Sequence, residues 1–168
     1  MAASVVLYEY TGASAGVTTS SDRFVAGTVR LQANDAGTEV ASPQPIVRGA
    51  ATVYSMERWM RMRALSGIVT SLVNPTFYTS GTPWDSGFTT PYLRSTPTGT
   101  TPVTPSSTTG FLPAHNYTSA AKWALGTYTV TTTPNFIGDY LVALCVVTTS
   151  SSTGIQGNEV WTFTYDES

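Results

Sequence analysis

The chain is short of charge. Of its 168 residues only 11% are Asp, Glu, Lys or Arg, less than half the usual value of about 25% for soluble domains. Lysine is almost missing, with Lys122 standing beside seven arginines. A sequence-independent nucleic-acid binder needs runs of Lys and Arg to neutralise phosphates. Here only Arg58, Arg61 and Arg63 cluster, the net charge is −2 and the pI is near 5.2, so nucleic acid is not an expected partner. Cysteine occurs once, as Cys145, which excludes an intrachain disulfide. It lies inside the apolar run Tyr140 to Val147 and reads as a small buried hydrophobe. A reactive thiol wants a basic, partly exposed setting, which its neighbours do not offer. Histidine also occurs once, as His115. It sits in a loop-like segment without a G-x-S-x-G nucleophile elbow and reads as an ordinary loop residue. One His and one Cys far apart do not make a metal site. Asp139, Glu159, Asp166 and Glu167 offer calcium-type oxygens, but Asp166 and Glu167 are adjacent, and adjacent strand residues point to opposite faces. They read as a solvated acidic end. No Gly-rich phosphate loop is present. No catalytic residue, cofactor or metal is therefore expected. Long apolar runs are missing too, since Tyr140 to Val147 falls well short of the roughly 20 residues of a membrane span. The start, MAASVVLYEY, lacks the charged and apolar regions of a secretory signal, so the expectation is a chain that begins at or just after Met1 and is made in a cytoplasm.

What is present is β-type patterning. Hydrophobic residues make up 41% of the chain and aromatics 11%, so low charge here does not mean disorder, which needs low hydrophobicity and high net charge. The segment Gly138 to Ser168 organises the rest. Tyr140 to Val147 is an unbroken apolar run and predicts a strand buried on both faces. After a polar, Gly-containing connection, Val160 to Tyr165 alternates, with Trp161, Phe163 and Tyr165 on one face, and predicts a half-buried strand. Val5 to Tyr10, Thr28 to Ala33, Gly67 to Thr79 (broken at Asn74-Pro75) and Gly126 to Thr133 read as further strands. Thr52 to Arg63 fits either period. Strand neighbours favour a strand, with Met56, Arg58, Met60 and Met62 on one face and Glu57, Trp59, Arg61 and Arg63 on the other. Asn116 to Leu125 predicts a short helix from about Ser119, ended by Gly126. Several short strands between turn clusters predict one all-β domain over residues 1–168, a β-sandwich of Ig-like or jelly-roll-like type. Its core is expected from Val5, Leu7, Tyr140, Val142, Leu144, Val146, Trp161 and Phe163.

Residues 80–115 stand apart. Pro83, Pro91, Pro97, Pro102 and Pro105 are spread among Gly, Ser and Thr, which predicts an extended loop or arm, and long irregular segments tend to be functional. Trp84, Phe88 and Tyr92 recur at spacing four and are the candidate contacts to a neighbouring protein. Arg58, Arg61 and Arg63 are candidates for an acidic partner surface, because guanidinium matches carboxylate geometry and Arg and Trp are enriched at interfaces.

The layout, with VVLYEY at the start, GDYLVALCVVTTSSSTG and a closing NEVWTFTYDES, resembles small structural proteins of tailed bacteriophages, capsid-decorating and other auxiliary virion proteins among them. That resemblance covers the two ends rather than the middle. It implies a β-rich, non-enzymatic homo-oligomer, typically a trimer. Such a protein would bind the outside of the major capsid protein's shell, without membrane or nucleic acid. It would be made in the host cytoplasm and found in the virion. A second reading is a receptor- or carbohydrate-binding module of a tail or fibre, with Trp84 and Tyr92 as a sugar platform. A small hydrolase using His115 ranks last.

Overall fold

The computed structural model describes residues 3–10, 23–24, 31–33, 46–67, 70–80, 89–152 and 159–168. Their strands are β1 (Ser4–Tyr10), β2 (Arg23–Phe24), β3 (Val53–Tyr54), β4 (Arg58–Ser66), β5 (Leu72–Thr79), β6 (Thr89–Thr96), β7 (Leu112–Pro113), β8 (Trp123–Ala124), β9 (Thr129–Val130), β10 (Asn135–Val147) and β11 (Trp161–Glu167). All pairings among them are antiparallel. A seven-stranded sheet runs β2-β1-β4-β10-β6-β7, with β3 also on β10, and a four-stranded sheet runs β11-β5-β8, with β9 also on β5. The all-β, two-sheet expectation therefore holds.

The central strand is β10, and every residue from Tyr140 to Val147 is buried, as the apolar run predicts. Its two faces pack differently. Leu141 and Ala143 join Met60 and Met62 of β4, Leu72 and Phe77 of β5 and Leu93 of β6 in the core between the sheets. Tyr140 and Val142 point the other way and form a second cluster with Tyr10 and Trp59. Of the expected core, Tyr140, Val142, Leu144 and Val146 are buried. Val5, Leu7, Trp161 and Phe163 pack partly buried against the inter-sheet core, whereas Tyr140 and Val142 belong to the opposite face. Strand alternation carries Leu144 and Val146 to that same face. The closing pair β10 and β11 also divides, one strand into each sheet.

Four local readings change. Residues 80–115 are not an arm throughout, because Thr89–Thr96 is β6 and pairs with β10 along its whole length. Pro91 is tolerated there for a geometric reason. Its partner Cys145 turns its N–H to Ser55 Oγ (2.8 Å) and accepts the Ser55 N–H on its carbonyl (2.9 Å). Cys145 and Pro91 are thus a non-hydrogen-bonded pair, and no N–H is asked of the proline. Asn74-Pro75 does not break β5. Asn74 takes a positive φ of 52° in a bulge opposite Tyr165, and its side-chain amide donates to Asp166 Oδ2 at 2.7 Å. The helix expected from Ser119 is absent, since Trp123 pairs with Phe77 in β8 and Leu125 enters the core. Gly126 to Thr133 reduces to β9, Thr129–Val130. The strand expected at Thr28 to Ala33 lies mostly outside the described residues; Leu31 and Gln32 are not in a strand.

Gly138 sits in the β10 bulge between Ile137 and Leu141, at φ 78°. A Cβ there would meet Pro75 Cβ at 2.9 Å and the Leu125 carbonyl at 3.0 Å. Gly110 has a similar φ of 82° with nothing within 4 Å. A left-handed conformation costs an L-residue about 1–2 kcal/mol. Urea denaturation should therefore show Gly110→Ala losing about 1–2 kcal/mol and Gly138→Ala losing clearly more. Equal losses would remove the packing role assigned to Gly138. A second prediction concerns Cys145, which burial pushes up to about 12. Native protein should be inert to thiol reagents at pH 8 and react only in denaturant. The folded thiol ionises later than the unfolded one, so its contribution is complete below the unfolded value of about 8.5 and is lost as pH rises toward 12. Cys145→Ala should flatten that alkaline decline.

Candidate functional site

The outer face of the large sheet, turned away from β5 and β11, carries the most unusual chemistry. Alternation along β4 puts Glu57, Trp59, Arg61 and Arg63 on this face. The register carries Tyr8 opposite Arg61, Tyr10 opposite Trp59, Phe136 opposite Arg63 and Arg94 opposite Val142. Guanidinium groups and rings alternate across the strands. Arg61 lies over Tyr140 (4.7 Å), Phe136 (5.1 Å) and Tyr128 (5.6 Å). Arg63 lies over Phe136 (5.2 Å) and Tyr8 (5.4 Å). Arg94 lies over Trp59 and Phe111, both at 5.1 Å. Each such contact contributes on the order of 0.5–2 kcal/mol, more as water is excluded. Arg61 is also fixed by its Nε, which donates to the Gly138 carbonyl at 2.6 Å.

Glu57 is the hub of this layer. Its carboxylate, only 3% exposed, accepts from Arg94 Nη2 (2.9 Å), Trp59 Nε1 (3.0 Å) and the Val103 N–H (3.4 Å). In return its own N–H donates to the Val103 carbonyl at 2.9 Å. The stretch around Val103 is thus clasped onto the sheet by one residue through both main chain and side chain. At the border of the face, Tyr128 Oη donates to Asp139 Oδ1 at 2.9 Å. Burial and then this carboxylate raise the Tyr128 phenol above its ordinary value, while Arg61 pulls the other way.

The residues singled out from sequence are distributed unevenly. Arg61 and Arg63 are on this face, half-buried among rings. Arg58 is not. Period two turns it inward, where it is fully buried with Nη1 3.6 Å from Glu9 Oε1, so it belongs to the interior and not to a surface patch. Tyr92 is half-buried on β6, opposite Leu144. Trp84 and Phe88 lie outside the described residues. Sequence reasoning missed Arg94, Glu57, Tyr8 and Phe136. The one available signal was that Glu57, Trp59, Arg61 and Arg63 share a parity.

A second cluster gathers around His115. Its Nδ1 is 3.2 Å from Glu159 Oε1, and Glu159 Oε2 accepts from Trp161 Nε1 at 2.9 Å. The Glu159 carboxylate is fully buried and the imidazole 19% exposed. A carboxylate in this position orients an imidazole, as in acid–base sites. Among the described residues, however, no hydroxyl or thiol is hydrogen-bonded to His115. The pair instead ties the turn at Ala114–Asn116 to the entry of β11. The acidic residues considered for calcium have separate partners: Glu159 has His115, Asp139 has Tyr128, Asp166 has Asn74, and Glu167 accepts the Ala3 N–H. Among the described residues no three His, Cys, Asp or Glu group closely enough to hold a metal.

Removing the Glu57 carboxylate would leave Arg94 and Trp59 Nε1 without their acceptor. Arg94 is 30% exposed and can rehydrate, whereas Trp59 Nε1 is buried and cannot. A buried donor left without its acceptor costs about 1–3 kcal/mol, so Glu57→Ala should lose stability of that order in urea denaturation. Thr104→Ala, an exposed change beside it, should be nearly neutral. In comparisons with known proteins, no protein-family model, no curated protein and no solved structure matches this chain.

Proposed function

We propose that the protein is a non-enzymatic structural component of a virion, a capsid decoration or cement protein bound to the outer surface of the major capsid shell. Within the two-sheet architecture we favour an Ig-like or jelly-roll-like sandwich. The observation that carries this reading is the outer face of the large sheet. Its arginines are held over rings and its carboxylate is neutralised internally. Such a face is stiff, aromatic and low in free charge. It suits a broad protein contact, where Arg and aromatic side chains are the enriched anchors. Many weak contacts repeated over an icosahedral shell bind tightly together without any single strong site. The phage resemblance of the two ends of the sequence points the same way.

The test is to add purified protein to capsids assembled without it. Saturable binding at a fixed ratio to the major capsid protein is expected. Arg63→Ala, which strips one guanidinium from between Tyr8 and Phe136, should weaken that binding at least about tenfold if the face is the anchor. Absence of binding to shells would overturn the capsid role. Binding of the same protein to a glycan array would then favour a receptor-binding module of a tail or fibre.

A further inference from the structure

Among the described residues, three of the four sheet borders end in two-residue strands: β2, which covers Tyr8 and Glu9 of β1, and β7 on the large sheet, and β8 with β9 on the small one. The fourth border is β11, seven residues long, and among the described residues it pairs with β5 alone. Its sequence, WTFTYDE, has no proline and no lysine, the usual devices that keep an edge from pairing.

The direction of its main-chain groups follows from its two ends. The Val160 carbonyl accepts the Ser80 N–H, and Ser168 exchanges hydrogen bonds with Ser71 in both directions. Even-numbered residues therefore face β5. By alternation, Trp161, Phe163, Tyr165 and Glu167 turn their N–H and C=O groups outward. We propose that β11 is a self-pairing edge: two copies of the chain join antiparallel through it, about a two-fold axis at Thr164.

The strand is self-complementary in that register. Phe163 meets the second copy's Tyr165, and Trp161 meets its Glu167, which makes hydrogen-bonded pairs of the residues whose groups point outward. The aromatic pair lies on the face that covers the core, where cross-strand aromatics add stability. On the other face Thr164 meets Thr164, and Thr162 meets Asp166, a hydroxyl donor against a carboxylate. No two like charges fall opposite each other. A slip of the pairing by one residue, half a residue in the axis, would set inward-facing groups against outward-facing ones and lose the ladder. Moving the axis a full residue to Phe163 keeps the ladder but loses the Phe163–Tyr165 and Thr162–Asp166 pairs. The resulting interface is isologous and closed, so it yields dimers and not fibres. This goes beyond the virion reading and does not depend on it. It also differs from the trimer that the phage resemblance implies.

The register gives a sharp test. Thr164 would sit in a non-hydrogen-bonded pair with its symmetry mate, with Cα atoms about 4.5 Å apart, inside the range of roughly 4.4–6.8 Å that a disulfide spans. Thr164→Cys should cross-link to a covalent dimer under mild oxidation. Thr162→Cys should not, because its symmetry mate lies four residues away along the strand, about 13 Å. Buried Cys145 is the built-in control, since it is out of reach in both variants. Sedimentation of the unaltered protein over a concentration series should approach twice the 17.8 kDa chain mass. Should either cysteine variant fail to fold, amide hydrogen exchange on the unaltered protein decides. The N–H groups of Phe163 and Tyr165 should gain protection of at least about tenfold as concentration rises. A chain monomeric at all concentrations, a trimer, or cross-linking through residue 162 as readily as through 164 would each overturn the proposal.

Discussion

A strand buried on both faces needs a cover on each side, and β10 imposes that demand on everything else. An apolar run cannot leave one face in water, so the fold supplies two layers. The inner cover is the small sheet, delivered by Leu72 and Phe77 of β5. The outer cover is not a third sheet. It is a single layer of rings from Tyr8, Tyr10, Trp59 and Phe136, with arginines laid across them. The scarcity of charge follows from the same demand. A chain that spends several of its cations as flat covering groups needs few counter-charges, and the buried carboxylates of Glu9 and Glu57 sit beside the guanidinium groups of Arg58 and Arg94.

Arginine is the residue that makes this possible. Its planar, weakly hydrated head can lie on a ring and still direct N–H groups sideways to an acceptor, which a lysine ammonium cannot do. Arg94 does both, stacking on Trp59 while reaching Glu57. Three of the seven arginines, Arg61, Arg63 and Arg94, are used in this way on one sheet face. Two functional consequences meet there. The face is rigid without being highly charged, and its stiffness is anchored by Glu57 at one point, through contacts with residues distant in sequence.

What could be read from the chain was whatever depended on local pattern. β10 and β11 were legible because an apolar run and a strict alternation each have one natural structural meaning. The strand character of Arg58–Ser66 was legible only from its strand neighbours, since both periods fit; given a strand, parity separates Arg58 from Arg61 and Arg63. What parity could not reveal is which face is the inner one, so it left unsaid that Tyr140 and Val142 are buried on the outer face of the large sheet. β6 was hidden by Pro91 and Pro97, since the feature that excuses Pro91 is a hydrogen bond made by Ser55 to the partner strand. The helix expected near Ser119 failed because Ala and Lys propensity counts for less than the pairing of Trp123 with β5. The hub at Glu57 was illegible in principle. A lone glutamate in a strand becomes a hub only when Arg94 and Val103 arrive from elsewhere.

The strand order has a kinetic meaning. Among the described residues, strands adjacent in sequence pair only at β1–β2 and β6–β7, and each of those contacts spans two residues. Every long ladder joins distant segments: β1 waits for β4, β4 and β6 wait for β10, and β5 waits for β11. Loop-closure entropy is therefore met before any extensive pairing compensates it, and folding of this topology belongs in the slow, millisecond-to-second class or beyond. During synthesis, β4, β5 and β6 emerge well before either of the strands they need. Until β10 appears, β4 has only β1 beside it, and the rings of Phe136 and Tyr140 that Arg61 lies over are still missing. The last fifth of the chain thus completes the fold: before it arrives β1 and β4 can pair, but β5 and β6 lack their long partners.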